Sequence, residues 1–179
     1  MTKLIKALSF DDILLKPQKS DIESRKEVNL TSTVSGLNFS LPIISSPMDT
    51  VTGPDMASSM FLAGGFGVLH RYNSIADQVR LVMQTRARTP FVAAAVGVSE
   101  DYLERSEALI GAGTSLLCID VAHGHHTNVE RAIKTLRDKF ENSISLMAGN
   151  VATGEAFEEL QDWGADLIRV GVGGGSICS

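Results

Sequence analysis

Cys178 is the residue with the clearest chemical potential in this chain. It ends the run Gly171-Val172-Gly173-Gly174-Gly175-Ser176-Ile177-Cys178. A glycine-rich loop lets a ligand touch the backbone and frees its N–H groups for an anion. A thiol there becomes a nucleophile if its pKa is lowered. The loop follows Asp166-Leu167-Ile168-Arg169-Val170, a strand-like run, so it is expected at a strand's C-terminal end, where α/β barrels carry their chemistry.

Four other segments carry candidate groups. Ser45-Ser46-Pro47-Met48-Asp49-Thr50 offers hydroxyls for a phosphate or sugar and a methionine for a base; a Pro-containing turn is the plainer alternative. Leu69-His70-Arg71-Tyr72 puts a cation at a strand end, suited to an anion, or else is an exposed basic pair. Asp120-Val121-Ala122-His123-Gly124-His125-His126 raises the question of a metal. No remote carboxylate or thiol completes a ligand set, so Asp120 reads better as an acceptor for a ribose. Met147-Ala148-Gly149-Asn150-Val151-Ala152-Thr153 offers the Asn150 amide to a ligand and Thr153 as a helix cap.

The elements that would position these groups are legible from about residue 41 onward. Short apolar runs at 41–45, 66–70, 91–98, 115–121, 144–148 and 166–172 are near-continuous, as in parallel strands covered on both faces. Helices lie between them. Ser74 is expected to cap one whose Ile75, Val79 and Val82 share a face. Thr127 and Glu130 form an expected capping box before Val129, Ile133, Leu136 and Phe140. Thr153 is expected to cap another, with Phe157 and Leu160 inward and Gly164 as its stop.

The junctions at 61–68, 109–116 and 160–167 look alike, so a βα unit recurs at roughly 25-residue spacing. The small residues of 91–97 suit a crowded barrel interior. Six strands and five helices fall two units short of a (β/α)₈ barrel. The expected architecture is therefore an α/β chain with an incomplete TIM barrel over 41–179. Residues 1–40 read as an extended arm and a hairpin.

Composition narrows the class. The 179 residues are 44% hydrophobic and 21% charged, with a net charge of −5, as in an ordinary globular domain. No basic block marks a nucleic-acid partner, no run is long enough for a bilayer, and the start lacks a signal-peptide core. Two cysteines make no disulfide framework, and Cys118 sits in an apolar run as a core residue. A cytoplasmic location is expected.

Taken together, these loops resemble the IMP dehydrogenase and GMP reductase family. The matching stretches are 8–15, 45–51, 65–70, 119–125, 148–153 and 169–178, in family order. The resemblance implies a (β/α)₈ barrel that assembles as a homotetramer. It implies that Cys178 is the nucleophile that attacks C2 of the purine, in IMP for the dehydrogenase and in GMP for the reductase. In the dehydrogenase, NAD accepts the hydride and the covalent adduct is hydrolysed to XMP. In the reductase, ammonia leaves and NADPH donates the hydride. Ser176 would hold the nucleotide phosphate, and Asn150, Ser46, Met48 and Gly175 would also bind the nucleotide. Asp120 would contact the nicotinamide ribose, with Arg169 and Gly171 near the cofactor. The carbonyls of Gly173, Gly175 and Cys178 would match a potassium site.

Two features bear on which branch applies. Gln84-Thr85-Arg86-Ala87-Arg88-Thr89-Pro90 joins the second helix directly to the third strand, without the CBS modules usual in dehydrogenases. Ser45-Ser46-Pro47-Met48-Asp49 instead resembles the dehydrogenase form. Gly174 and Ser179 vary from the commoner loop residues. The family's last two barrel units, flap and catalytic base would lie beyond Ser179. The expectation is thus an IMP dehydrogenase, with a GMP reductase or a non-catalytic fragment of the family as alternatives.

Overall fold

A computed structural model describes residue 8, residues 10–99 and residues 101–172. Gly173, Gly175, Ser176 and Cys178 lie outside the described residues.

After short 3-10 turns at Phe10–Asp12 and Arg25–Glu27, strands β1 (Ser32–Val34) and β2 (Leu37–Phe39) form an antiparallel hairpin. Then β3 (Ile44–Ser45), α1 (Pro54–Leu62), β4 (Phe66–Leu69), α2 (Ile75–Arg86), β5 (Ala93–Val96) and α3 (Tyr102–Gly111) follow. The chain continues through β6 (Leu116–Asp120), α4 (Thr127–Phe140), β7 (Ser145–Val151), α5 (Gly154–Trp163) and β8 (Leu167–Val170). Strands β3 to β8 pair in parallel and in sequence order. This is a six-stranded portion of a (β/α)₈ barrel, the fold class expected from the apolar runs.

Alternation along the strands sorts side chains onto two faces. Val92, Ala94 and Val96 pack with Leu117, Ile119, Leu146 and Ala148 against Val82, Leu109, Ile133, Leu136 and Leu160 of the helices. Phe66, Val68, Phe91, Ala93, Ala95, Leu116, Cys118 and Met147 form a second cluster on the opposite, interior face. Phe39, from the hairpin, joins that interior cluster. Its ring centroid lies 5.1 Å from Phe66 and 5.2 Å from Phe91. Both partners sit at the N-terminal ends of their strands or just before them, so the hairpin covers that mouth and leaves the other free.

The helix starts correct one expectation and agree with two. Ser74 Oγ accepts from the Asp77 N–H at 3.1 Å, and Thr153 Oγ1 from the Ala156 N–H at 3.2 Å. The cap of α4 is His126 rather than Thr127: its Nδ1 accepts from the Asn128 N–H at 3.0 Å. Thr127 is already inside the helix, and Glu130 accepts from Lys134, so the expected capping box is replaced by a single His126 cap. Gly164 ends α5 in the left-handed region at φ 112°. Phe157, expected inward, is 41% exposed, whereas Leu160 is fully buried. A second correction concerns β7. It runs on through Gly149 and Asn150 to Val151, with a register shift against β8 between Gly149 and Val151. Asn150 is therefore on a strand end rather than in a loop.

Candidate active site

The parallel order of β3 to β8 puts the segments that follow them at one mouth. There Asp120, the last residue of β6, accepts a hydrogen bond and ion pair from Arg169 on β8. The pair is mostly shielded, with side-chain exposures of 16% and 25%. Arg71, just beyond β4, donates through Nη2 to the Asp120 carbonyl at 3.2 Å. One guanidinium thus pairs with the Asp120 carboxylate and a second holds the main chain of the same residue. The basic pair at His70-Arg71 is half-buried in this network, not a solvated surface pair.

Arg169 is held in its charged form. Burial works against that charge, and the Asp120 carboxylate, through its charge and its hydrogen bond, favours it; the pKa lies above the ordinary arginine value. Cys118 behaves in the opposite way. Burial pushes its thiol up to about 12, with Arg169 only partly opposing. At neutral pH this thiol is neutral and unreactive, as expected of a core cysteine.

The neighbouring strand is joined to the same group. Asn150 Nδ2 donates to the Gly171 carbonyl at 2.8 Å, which ties the end of β7 to the start of the glycine loop. Val121 N–H donates to the Gly149 carbonyl at 3.0 Å, and Asn150 N–H to the Val121 carbonyl at 2.8 Å. Two glycines permit this closeness. A Cβ on Gly149 would lie 2.6 Å from the Arg169 carbonyl oxygen, and one on Gly124 would lie 2.8 Å from that of Asn150. Sequence reading singled out Asn150 but missed these contacts, because neither glycine carries a recognisable local signal.

The β3 loop is held separately. Thr52, fully buried, has its hydroxyl 2.5 Å from the Ser46 carbonyl and 2.9 Å from Ser45 Oγ. Ser46 is exposed and Met48 is 38% exposed, both open to a ligand but not in contact with Asp120 or Asn150 in the bonds described. The loops after β4 and β5 are joined by Arg105. Its guanidinium donates to Asp101, to Gln78 Oε1 at 2.8 Å and to the Asn73 carbonyl at 3.2 Å. That hydrogen bond holds the Asp101 carboxyl below its ordinary value. His70 Nδ1, Arg71 Nε and Asn73 Oδ1 are buried without a hydrogen-bond partner among the described residues.

Among the described residues no group of three or more His, Cys, Asp and Glu side chains could hold a metal ion. His123 and His126 contact each other edge-on at 6.3 Å, while His125 turns away to bond Glu159. Among the described residues no helix is long and apolar enough to cross a membrane.

Residues 7–179 match the IMP dehydrogenase / GMP reductase domain. A GMP reductase of Variovorax paradoxus is 34% identical over 171 residues, covering 94% of this chain and 52% of that protein. An inosine-5'-monophosphate dehydrogenase of Cryptosporidium parvum is 33% identical over 217 residues, covering 97% of this chain and 53% of that protein. A GMP reductase of Chromobacterium violaceum is 34% identical, covering 96% of this chain and 54% of that protein. The chain spans about half the length of these relatives. With the domain match running almost end to end, the chain belongs to the IMP dehydrogenase / GMP reductase family.

Proposed function

We propose that this chain forms the nucleotide-binding and nucleophile-bearing part of a purine nucleotide oxidoreductase, acting as an IMP dehydrogenase. The observation that carries the reading is the convergence of three strand ends. Asp120 meets Arg169, and Asn150 meets Gly171 immediately before the glycine run that leads to Cys178. In this reading residues 1–40 are an arm and hairpin, and 41–179 are catalytic barrel. Cys178 adds to C2 of IMP as a thiolate, C2 loses hydride, and water then displaces the thiol to give XMP. Asn150, Ser46, Met48, Gly175 and Ser176 hold the nucleotide.

The described residues fit a nicotinamide dinucleotide. A carboxylate at a strand end can accept from a ribose hydroxyl, and the flanking guanidinium groups and unpartnered Arg71 Nε suit its phosphates. NAD or NADP, when bound, supplies the hydride acceptor or donor. Asp120 and Arg169 orient it, and Gly171 lets it approach the backbone. Carbonyls of Gly173, Gly175 and Cys178 are proposed for potassium, a homotetramer for the assembly and the cytoplasm for its location.

GMP reductase is the second reading, favoured by a specific observation. Arg86 ends α2 and Ala93 begins β5, so the connection is short and holds no module. The alignment with the Cryptosporidium enzyme extends over 217 residues, more than this chain contains, whereas those with the reductases of Variovorax and Chromobacterium run over 171 and 173.

Purified protein, as encoded at its locus, decides between them. With IMP and NAD it should form XMP and NADH. Turnover of GMP with NADPH and none of IMP would establish the second reading. In either case Cys178→Ala should reduce turnover below about a tenth of wild type while nucleotide binding persists in part. Turnover above that level removes the nucleophilic role.

A further inference from the structure

His125 leaves the barrel mouth and reaches α5. Its Nε2 lies 3.0 Å from Glu159 Oε2, and its ring sits 6.2 Å from that of Trp163 at 34°. Glu159 and Trp163 are one turn apart on α5, so a single helix face receives the imidazole. A recess of about 150 Å³ opens here, lined by these three residues and by His126, Thr127 and Glu130.

The segment 121–126 is thereby held at two ends. At one, Val121 exchanges hydrogen bonds with Gly149 and Asn150. At the other, Gly124 N–H donates to the Asn150 carbonyl at 2.7 Å, next to the His125 contact. Ala122 and His123 form the exposed arch between. His125 and Glu159 keep 33% and 44% of their side chains exposed, so the pair contributes little to global stability. Its influence falls instead on the loop that it joins to α5.

We propose that Glu159 and Trp163 are positioning residues. With His125 they clasp the far end of the 121–126 loop to α5, and so fix Asp120 and Gly124 for a ribose-bearing ligand. This rests on the cofactor-site reading of Asp120. The clasp acts through the loop, since Gly124 transmits its position to Asn150, and Asn150 to Gly171.

Amide hydrogen exchange on the full chain tests the clasp without any ligand. In Glu159→Ala, the Gly124 amide should exchange about threefold faster, the change that losing a half-exposed pair produces. Ile133 and Leu136, in the core of α4, should be unmoved, which separates a local release from general destabilisation. Glu159→Gln retains an acceptor and should restore most of the protection. The emission of Trp163, the only tryptophan in the chain, should change in His125→Ala and Glu159→Ala. Equal Gly124 exchange in wild type and Glu159→Ala overturns the clasp and leaves the reading of Asp120 standing.

Calorimetric titration with NAD, and separately with NADP, tests the positioning role. Affinity should fall about threefold in Glu159→Ala and recover in Glu159→Gln. Equal affinities overturn positioning. Failure of wild type to bind either dinucleotide removes the reading of Asp120, and the positioning role with it, whatever the exchange data give.

Discussion

Asp120 and Cys118 are two residues apart on β6, yet their environments assign them opposite chemistry. Asp120 lies at the strand end, where its carboxylate pairs with the Arg169 guanidinium. Cys118 faces the packed interior, where desolvation disfavours a thiolate. The thiol's pKa rises from 9.0 to about 12, so folding suppresses its ionisation. Below pH 9 both folded and unfolded chains keep the proton, and the group contributes nothing to the pH slope. Above it the unfolded chain releases the proton and the folded chain holds it, so stability falls as pH rises toward 12. Cys118→Ala should flatten the loss of stability between pH 9 and 11, by at most about 1.4 kcal/mol per pH unit. Parallel slopes in urea melts of the two proteins would contradict this. The same burial predicts that thiol reagents at pH 8 spare Cys118 in the native chain; alkylation there under native conditions would show an accessible thiol.

At the scale of elements, the start of α4 gives the sharpest test. A helix leaves its first N–H groups without intrahelical partners, and a side-chain acceptor at the cap satisfies one. His126 supplies that acceptor in α4, and Thr127 does not. His126→Ala should therefore cost about 0.5–1 kcal/mol in thermal or urea unfolding. Thr127→Ala should stay within about 0.5 kcal/mol of wild type. The reverse order would restore Thr127 as the cap. The end of β7 is the other decisive element. Gly149 lies too close to Arg169 for a side chain, and this proximity lets Asn150 reach the Gly171 carbonyl. Gly149→Ala would force β7 and β8 apart, with an overpacking cost of about 1–3 kcal/mol.

For the whole molecule, the hairpin and the half-barrel act as one hydrophobic unit. Phe39 is 3% exposed and meets Phe61, Phe66 and Phe91. It fills the N-terminal mouth from outside the parallel sheet. Phe39→Ala should lower stability by about 3–5 kcal/mol, read from the urea midpoint. An unchanged midpoint would mean that the hairpin is an appendage. Among the described residues β3 pairs only with β4, and β8 only with β7. An apolar recess of about 220 Å³ lies between the hairpin, β3 and β8, lined by Val34, Phe39, Ile43, Ile44, Phe66 and Leu167.

The fold class was legible in the sequence because it depends on local periodicity. Near-continuous apolar runs and amphipathic segments alternate, and Ser74, Thr153 and Gly164 mark helix ends with residue types that act alone. The candidate mouth was legible for the same reason, since every segment following a parallel strand must emerge at one end. Tertiary structure alone decided the pairings within it. The Arg169–Asp120 contact spans 49 residues and the Asn150–Gly171 contact 21, separations over which spacing carries no register. Sequence left His70-Arg71 open between anion site and exposed pair; half-burial, with Arg71 on the Asp120 carbonyl, removes the exposed pair. His125 stood in a cluster that looked like metal chemistry, and α5 drew it away to Glu159. Local pattern determines which element a residue joins. Contact between elements determines what its side chain can do.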